Sequence, residues 1–199
     1  IKSLVAYLCS ADATFRLFGA VTIGNIASSM SLQDEIISGG ALAPLVTISN
    51  QADLETQRCI AYALCNLAAD PRRRSDIVRE GGLPSLISMA CSEDLNDELA
   101  AISTLRGICA QPENRRQVYQ ANVIEALSIG TKANNLEIRC ETAAMMCALS
   151  INDDNKLEMA MCDTLLLNLI DLLKTNDDPR CLRQSMGCLA NLTERHECH

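Results

Sequence analysis

The stretch CIAYALCNLAAD, residues 59–70, sets one amide side chain, Asn66, in a run of alanine, leucine, isoleucine and cysteine, with no charge before its final Asp70. Small and unbranched apolar residues lose little freedom in a helix, so the run reads as helical. Asparagine is a middling helix former because its amide competes for backbone hydrogen bonds. Asn66 therefore needs a partner if it is buried and a purpose if it is exposed.

Working outward from Asn66 exposes a repeat. Asn25 lies 41 residues before it, and the same offset brings whole classes of side chain into register. One column reads Ile1, Leu42, Leu83, Ile124 and, after a short insertion, Leu166. A second reads Leu4, Leu45, Leu86, Leu127, Leu169, and a third Ile36, Ile77, Val118, Met159. The position after the asparagine reads Ile26, Leu67, Ile108, Leu149, Leu192; the position two before it reads Ile23, Leu64, Leu105, Met146, Leu189. Five columns sharing one period predict a repeat architecture over nearly the whole chain.

Within a period the punctuation predicts three helices. Asp70-Pro71 supplies a cap and a first-turn proline, RRRSDIVRE makes a short helix, and Gly81-Gly82 ends it. LPSLISMACS forms the second helix. Asp94 opens the third and longest, in which Leu95, Leu99, Ile102, Leu105 and Ile108 trace a stripe expected to be buried. Gly39-Gly40 and Gly81-Gly82 lack the preceding strand and following lysine of a phosphate loop, so they read as tight helix-to-helix corners.

Composition narrows the function. The 199 residues are 48% hydrophobic but only 3% aromatic, with no Trp, which favours close-packed helices over a sandwich or barrel. A formal charge of −8 disfavours a nucleic-acid surface. The basic runs Arg72–Arg74 and Arg115-Arg116 sit beside acids and read as solvated helix starts. No apolar run approaches the ~20 residues of a membrane span, so direct membrane insertion is not expected. The eleven cysteines contain no CxxC pair. Cys59, Cys65, Cys109, Cys147 and Cys188 fill alanine-like positions and read as reduced small hydrophobes of a cytoplasmic protein. The tail residues His196, Cys198 and His199 are too close together for a closed tetrahedral zinc site. Both histidines stand in the last four residues, so no base is placed to activate a nucleophile. Neither catalysis, a metal nor a cofactor is expected.

GGALAPLVTISNQADLETQRCIAYALCNLAAD, residues 39–70, resembles an armadillo repeat: a glycine turn, an apolar second helix, and a third helix closing in an Asn-Leu-Ala run. The resemblance implies an all-α, right-handed solenoid across residues 1–199. It has a partial repeat over about 1–28 and repeats over 31–69, 72–110, 113–151 and 153–194. It also implies a protein-binding scaffold or adaptor whose third helices line a groove for a partner protein or peptide. The substrate-recognition region of a U-box-type ubiquitin ligase and an importin-α-like adaptor are alternatives. In such grooves the asparagine holds the backbone of an extended peptide, but here that column reads Asn25, Asn66, Gly107, Ala148, Asn191. The aromatic position one turn earlier reads Val21, Tyr62, Ser103, Ala144, Gly187, which lacks the tryptophans of importin-α. The candidate partner-binding residues are Asn25, Arg58, Tyr62, Asn66, Ser103, Glu141, Arg183 and Asn191, with Thr14, Phe18, Glu55, Asn96, Glu137 and Arg180 flanking them. A chain opening on Ile1 inside a repeat reads as a segment of a longer protein. Uncapped apolar ends would then favour self-association, and a membrane anchor or nuclear role would rest on missing segments.

Overall fold

A computed structural model describes residues 1–49, 51–175 and 178–194, and within them the chain forms α-helices, one 3-10 turn and no strand. The helices are α1 (Lys2–Leu8), α2 (Ala13–Ala27), α3 (Met30–Ser38), α4 (Leu42–Ser49), α5 (Leu54–Ala68), α6 (Pro71–Arg79) and α7 (Leu83–Ala90). Then follow α8 (Leu95–Cys109), the 3-10 turn (Pro112–Asn114), α9 (Arg115–Gln120), α10 (Ile124–Lys132), α11 (Leu136–Leu149), α12 (Asp153–Ala160), α13 (Asp163–Thr175) and α14 (Pro179–Thr193). They fall into two compact units, Ile1–Met89 and Ala90–His199.

The long third helices α2, α5, α8, α11 and α14 each start on a side-chain cap. Asp12, Asp53, Asp94, Asn135 and Asp178 accept from the backbone N–H of Thr14, Thr56, Asn96, Glu137 and Arg180 at 2.8–2.9 Å. The bonds from Thr56 hold the Asp53 carboxyl below its usual value, and those from Arg180 do the same for Asp178. Between first and second helices the chain turns through the left-handed region at one recurring position, Gly40 (φ 74°), Gly81 (φ 89°) and Asn122 (φ 65°). Glycine adopts that conformation without a Cβ clash, and asparagine tolerates it best among the rest.

The far ends of the third helices are closed by a device the sequence does not announce. The last carbonyls of α2, α5, α8 and α11 would be orphaned, and a side chain six residues further on donates to them. Gln33 Nε2 bonds Ala27 O at 2.9 Å, Arg74 Nε bonds Ala68 O at 2.9 Å, Arg115 Nε bonds Cys109 O at 3.0 Å, and Asn155 Nδ2 bonds Leu149 O at 3.3 Å.

In the first unit α2 packs along α5, with Ile23, Ile36, Leu45, Leu64, Leu67 and Ile77 fully buried. In the second, α11 packs between α8 and α14 over Leu105, Ile108, Leu127, Met146, Leu149 and Leu169, also fully buried. Each such side chain contributes about 1.5–3 kcal/mol of burial. One expectation is overturned: of the α8 stripe only Ile102, Leu105 and Ile108 are buried, Leu99 is half-buried, and Leu95 is 47% exposed. Leu95 is the first residue of its helix, ahead of the turns that pack. Leu54 and Leu136, its counterparts in α5 and α11, are exposed for the same reason.

Candidate functional site

In the first unit, Phe18, Val21 and Asn25 recur at helical spacing along one face of α2, and Arg58, Tyr62 and Asn66 along one face of α5. Phe18, Val21, Asn25, Arg58 and Tyr62 are exposed, while Asn66 is half-buried. The Asn66 Nδ2 donates to Gly24 O on α2 at 3.0 Å, and its backbone oxygen accepts from Gln33 Nε2 at 2.9 Å. Asn66 is thus a staple between adjacent third helices, using one of its two N–H donors. The Tyr62 ring lies over the α2 backbone: its Cδ1 is 3.6 Å from where a Cβ on Gly24 would stand.

Two aromatic residues missing from the sequence-derived set join this face. Tyr7 stacks on Phe15 with ring centroids 5.5 Å apart and meets Phe18 edge-on at 5.8 Å. Of the chain's five aromatic residues, Tyr7, Phe15, Phe18 and Tyr62 lie exposed in this unit, and only Tyr119 is buried. The signal that could have found them was their clustering in a chain otherwise almost free of rings.

The second unit fills the same columns differently. Glu141 on α11 pairs with Arg106 on α8, and Glu137 on α11 accepts from Arg180 Nη1 on α14 at 3.0 Å. The carboxylates of Asp178 and Glu137 raise the Arg180 guanidinium further above its usual value. Asn191 repeats the staple: its Nδ2 donates to Ser150 Oγ at 3.0 Å and lies 3.5 Å from Cys147 O. Gly107 and Ala148 can make no such bond. Gly187 stands where the first unit has Tyr62, and a Cβ there would lie 3.1 Å from Cys147 Sγ, so α14 approaches α11 closely. Ser103 and Glu141 are half-buried, while Arg183 and Asn96 are exposed. Thr14 and Glu55 of the first unit are exposed as well.

Among the described residues no group of three His, Cys, Asp or Glu side chains is placed to hold a metal. His196, Cys198 and His199 lie outside them. The ten described cysteines are free thiols. Burial pushes Cys140 up to about 11 and Cys109 and Cys188 up to about 12. Such thiols stay protonated and pack as small hydrophobes rather than act as nucleophiles. No described helix is long and apolar enough to cross a membrane.

No protein-family profile and no curated protein matches this chain. Solved structures do. Computationally designed armadillo repeat proteins for modular peptide recognition superpose with a TM-score of 0.78 at 20% identity, over 96% of this chain and 81% of theirs. A designed armadillo repeat protein in complex with the peptide (KR)4 gives 0.73 at 18%, over 96% and 80%. The armadillo repeats only protein from Plasmodium falciparum gives 0.74 at 18%, over 90% and 80%. With its capped third helices, its recurring left-handed corners and this likeness, the chain has the all-α solenoid fold of the armadillo repeat proteins.

Proposed function

We propose that this chain is a protein-binding scaffold whose first unit takes an extended peptide segment across the α2–α5 face, anchored by apolar or aromatic side chains. The observation that carries the reading is the exposure of Phe18 (55%) and Tyr62 (47%) beside Asn25 and Asn66. Rings held on rigid helices give large contact area at small entropic cost, and neighbouring amides can bond a peptide backbone. The unit holds eight acids against seven bases, so its partner segment is near-neutral rather than polybasic. Designed proteins of this fold recognise peptides, which fits a peptide on the third-helix face. An importin-like role is disfavoured by the column Val21, Tyr62, Ser103, Ala144, Gly187. The second-unit candidates Ser103, Glu141, Arg183 and Asn191 serve as secondary contacts at most, since Glu141 and Asn191 already bond neighbouring helices.

A random peptide library displayed on phage and selected on the chain tests this. Enriched peptides should carry spaced aliphatic or aromatic residues and lose binding about tenfold or more to the Phe18→Ala/Tyr62→Ala variant. Enrichment of lysine-arginine runs that bind that variant undiminished overturns it.

A further inference from the structure

The loops entering α2 and α8 share the pattern Cys-Ser-x-Asp, CSAD at 9–12 and CSED at 91–94. In both, a serine hydroxyl accepts from the backbone N–H of the capping aspartate: Asp12 to Ser10 Oγ and Asp94 to Ser92 Oγ, each at 3.1 Å. They differ at the fourth helical residue. In α2 it is Arg16, whose Nη1 donates to Ser10 O at 3.0 Å and Ala11 O at 2.8 Å. In α5 it is Gln57, whose Nε2 donates to Ala52 O at 2.9 Å, and in α11 it is Arg139, whose Nη1 donates to Ala133 O at 2.5 Å. Three repeats thus use this position as a donor that closes the loop behind the helix. In α8 it is Glu98, a side chain that has no N–H, is only 3% exposed, and leaves Oε1 buried without a partner.

At the position where arginine or glutamine donates to loop carbonyls elsewhere, an ionised carboxylate would carry its charge with Oε1 buried and unpartnered. The groups around it give no relief. Cys91 in the same loop and Glu125 on α10 are acids, and burial, followed by the charge of Glu125, pushes the Cys91 thiol up. On its own helix Asp94 and Asp97 are acidic, Arg106 pairs with Glu141, and Arg139 on the neighbouring α11 is engaged with Ala133 O. We infer that Glu98 is a neutral carboxylic acid in the folded chain and donates its proton to a loop carbonyl, Ser92 O or Glu93 O, as a proton-dependent latch holding the start of α8. Burial accordingly raises its pKa above the ordinary 4.5. A raised value in the folded state means the latch contributes in full below pH 4.5 and is lost as pH rises through the folded value. This inference stands independently of the peptide-binding reading.

Thermal melts of the chain and its Glu98→Gln variant between pH 5 and 8, with an NMR titration of the Glu98 carboxyl carbon, provide the test. Glutamine is the residue that already donates at position 57, so Glu98→Gln should melt at or about 4 °C above the parent at pH 8, with no such gain at pH 5. The carboxyl should titrate above the ordinary glutamate range. Parallel melting profiles, a Glu98→Gln variant less stable at pH 8, or a carboxyl titrating at or below 4.5 would each overturn the latch.

Discussion

Along α2 and α5 the third-helix face offers rings and amides; along α8, α11 and α14 the same columns offer small side chains and charges paired with one another. Tyr62 in the first unit corresponds to Ser103, Ala144 and Gly187 in the second. The second unit also carries seventeen acids against ten bases, where the first is nearly balanced. Its arginines Arg106 and Arg180 are spent on Glu141 and Glu137 of the adjacent helix. The buried columns meanwhile hardly change, with Leu64, Leu105 and Met146 all fully buried. The comparison teaches that scaffold and face are separately encoded: packing fixes the columns inside, and the outward positions are free to diverge.

The hardest test of that equivalence is the core. Leu64→Ala and Met146→Ala remove the same column in different units, and each should cost about 2–5 kcal/mol in urea denaturation. A cost under about 1 kcal/mol in either would mean that the two interiors are not alike. Next in size is recognition. Against a selected peptide, Phe18→Ala/Tyr62→Ala should lose roughly tenfold or more while Ser103→Ala/Arg183→Ala loses less than about twofold, measured by titration calorimetry. Equal losses would erase the distinction between the faces. Smaller again are the staples: Asn66→Ala and Asn191→Ala should each destabilise by about 1 kcal/mol, since each breaks a bond between adjacent third helices. If Asn66→Ala is neutral for stability, the bond to Gly24 O adds nothing to the packing of α2 on α5. Last comes Glu141→Gln, expected to cost about 0.5 kcal/mol and to shrink further in high salt, because the Arg106 side of the pair is 43% exposed.

Much of the fold was legible because its causes repeat. The column Ile36, Ile77, Val118, Met159 is fully buried throughout, and Asp94 caps the helix it was expected to open. Gly40 and Gly81 turn through left-handed backbone, as tight corners require. Leu95 was misread because periodicity says which residues share a stripe, not where along the helix packing begins. The site was less legible. Asn66 and Asn191 stood out by type, yet an amide in a repeat can face a peptide or a neighbouring helix, and the spacing is the same for both. Tyr7 and Phe15 fall outside the columns searched, and their ring contacts in space join them to Phe18.

What the amino-acid sequence determined by itself is the local chemistry: helix period, capping aspartates, breaker glycines and the 41-residue register that stacks one repeat on the next. These depend on neighbours a few residues apart and survive any global arrangement. Tertiary structure decided which polar groups are already spent. It gave the Asn66 amide to Gly24 O, Glu141 to Arg106, and the six-residue reach-back of Gln33 and Arg74 to the carbonyls of Ala27 and Ala68. It also left Glu98 in a donor's place without a donor's proton unless the carboxyl keeps its own. The reason is that a hydrogen bond is settled by direction and desolvation, and both exist only once the helices are packed.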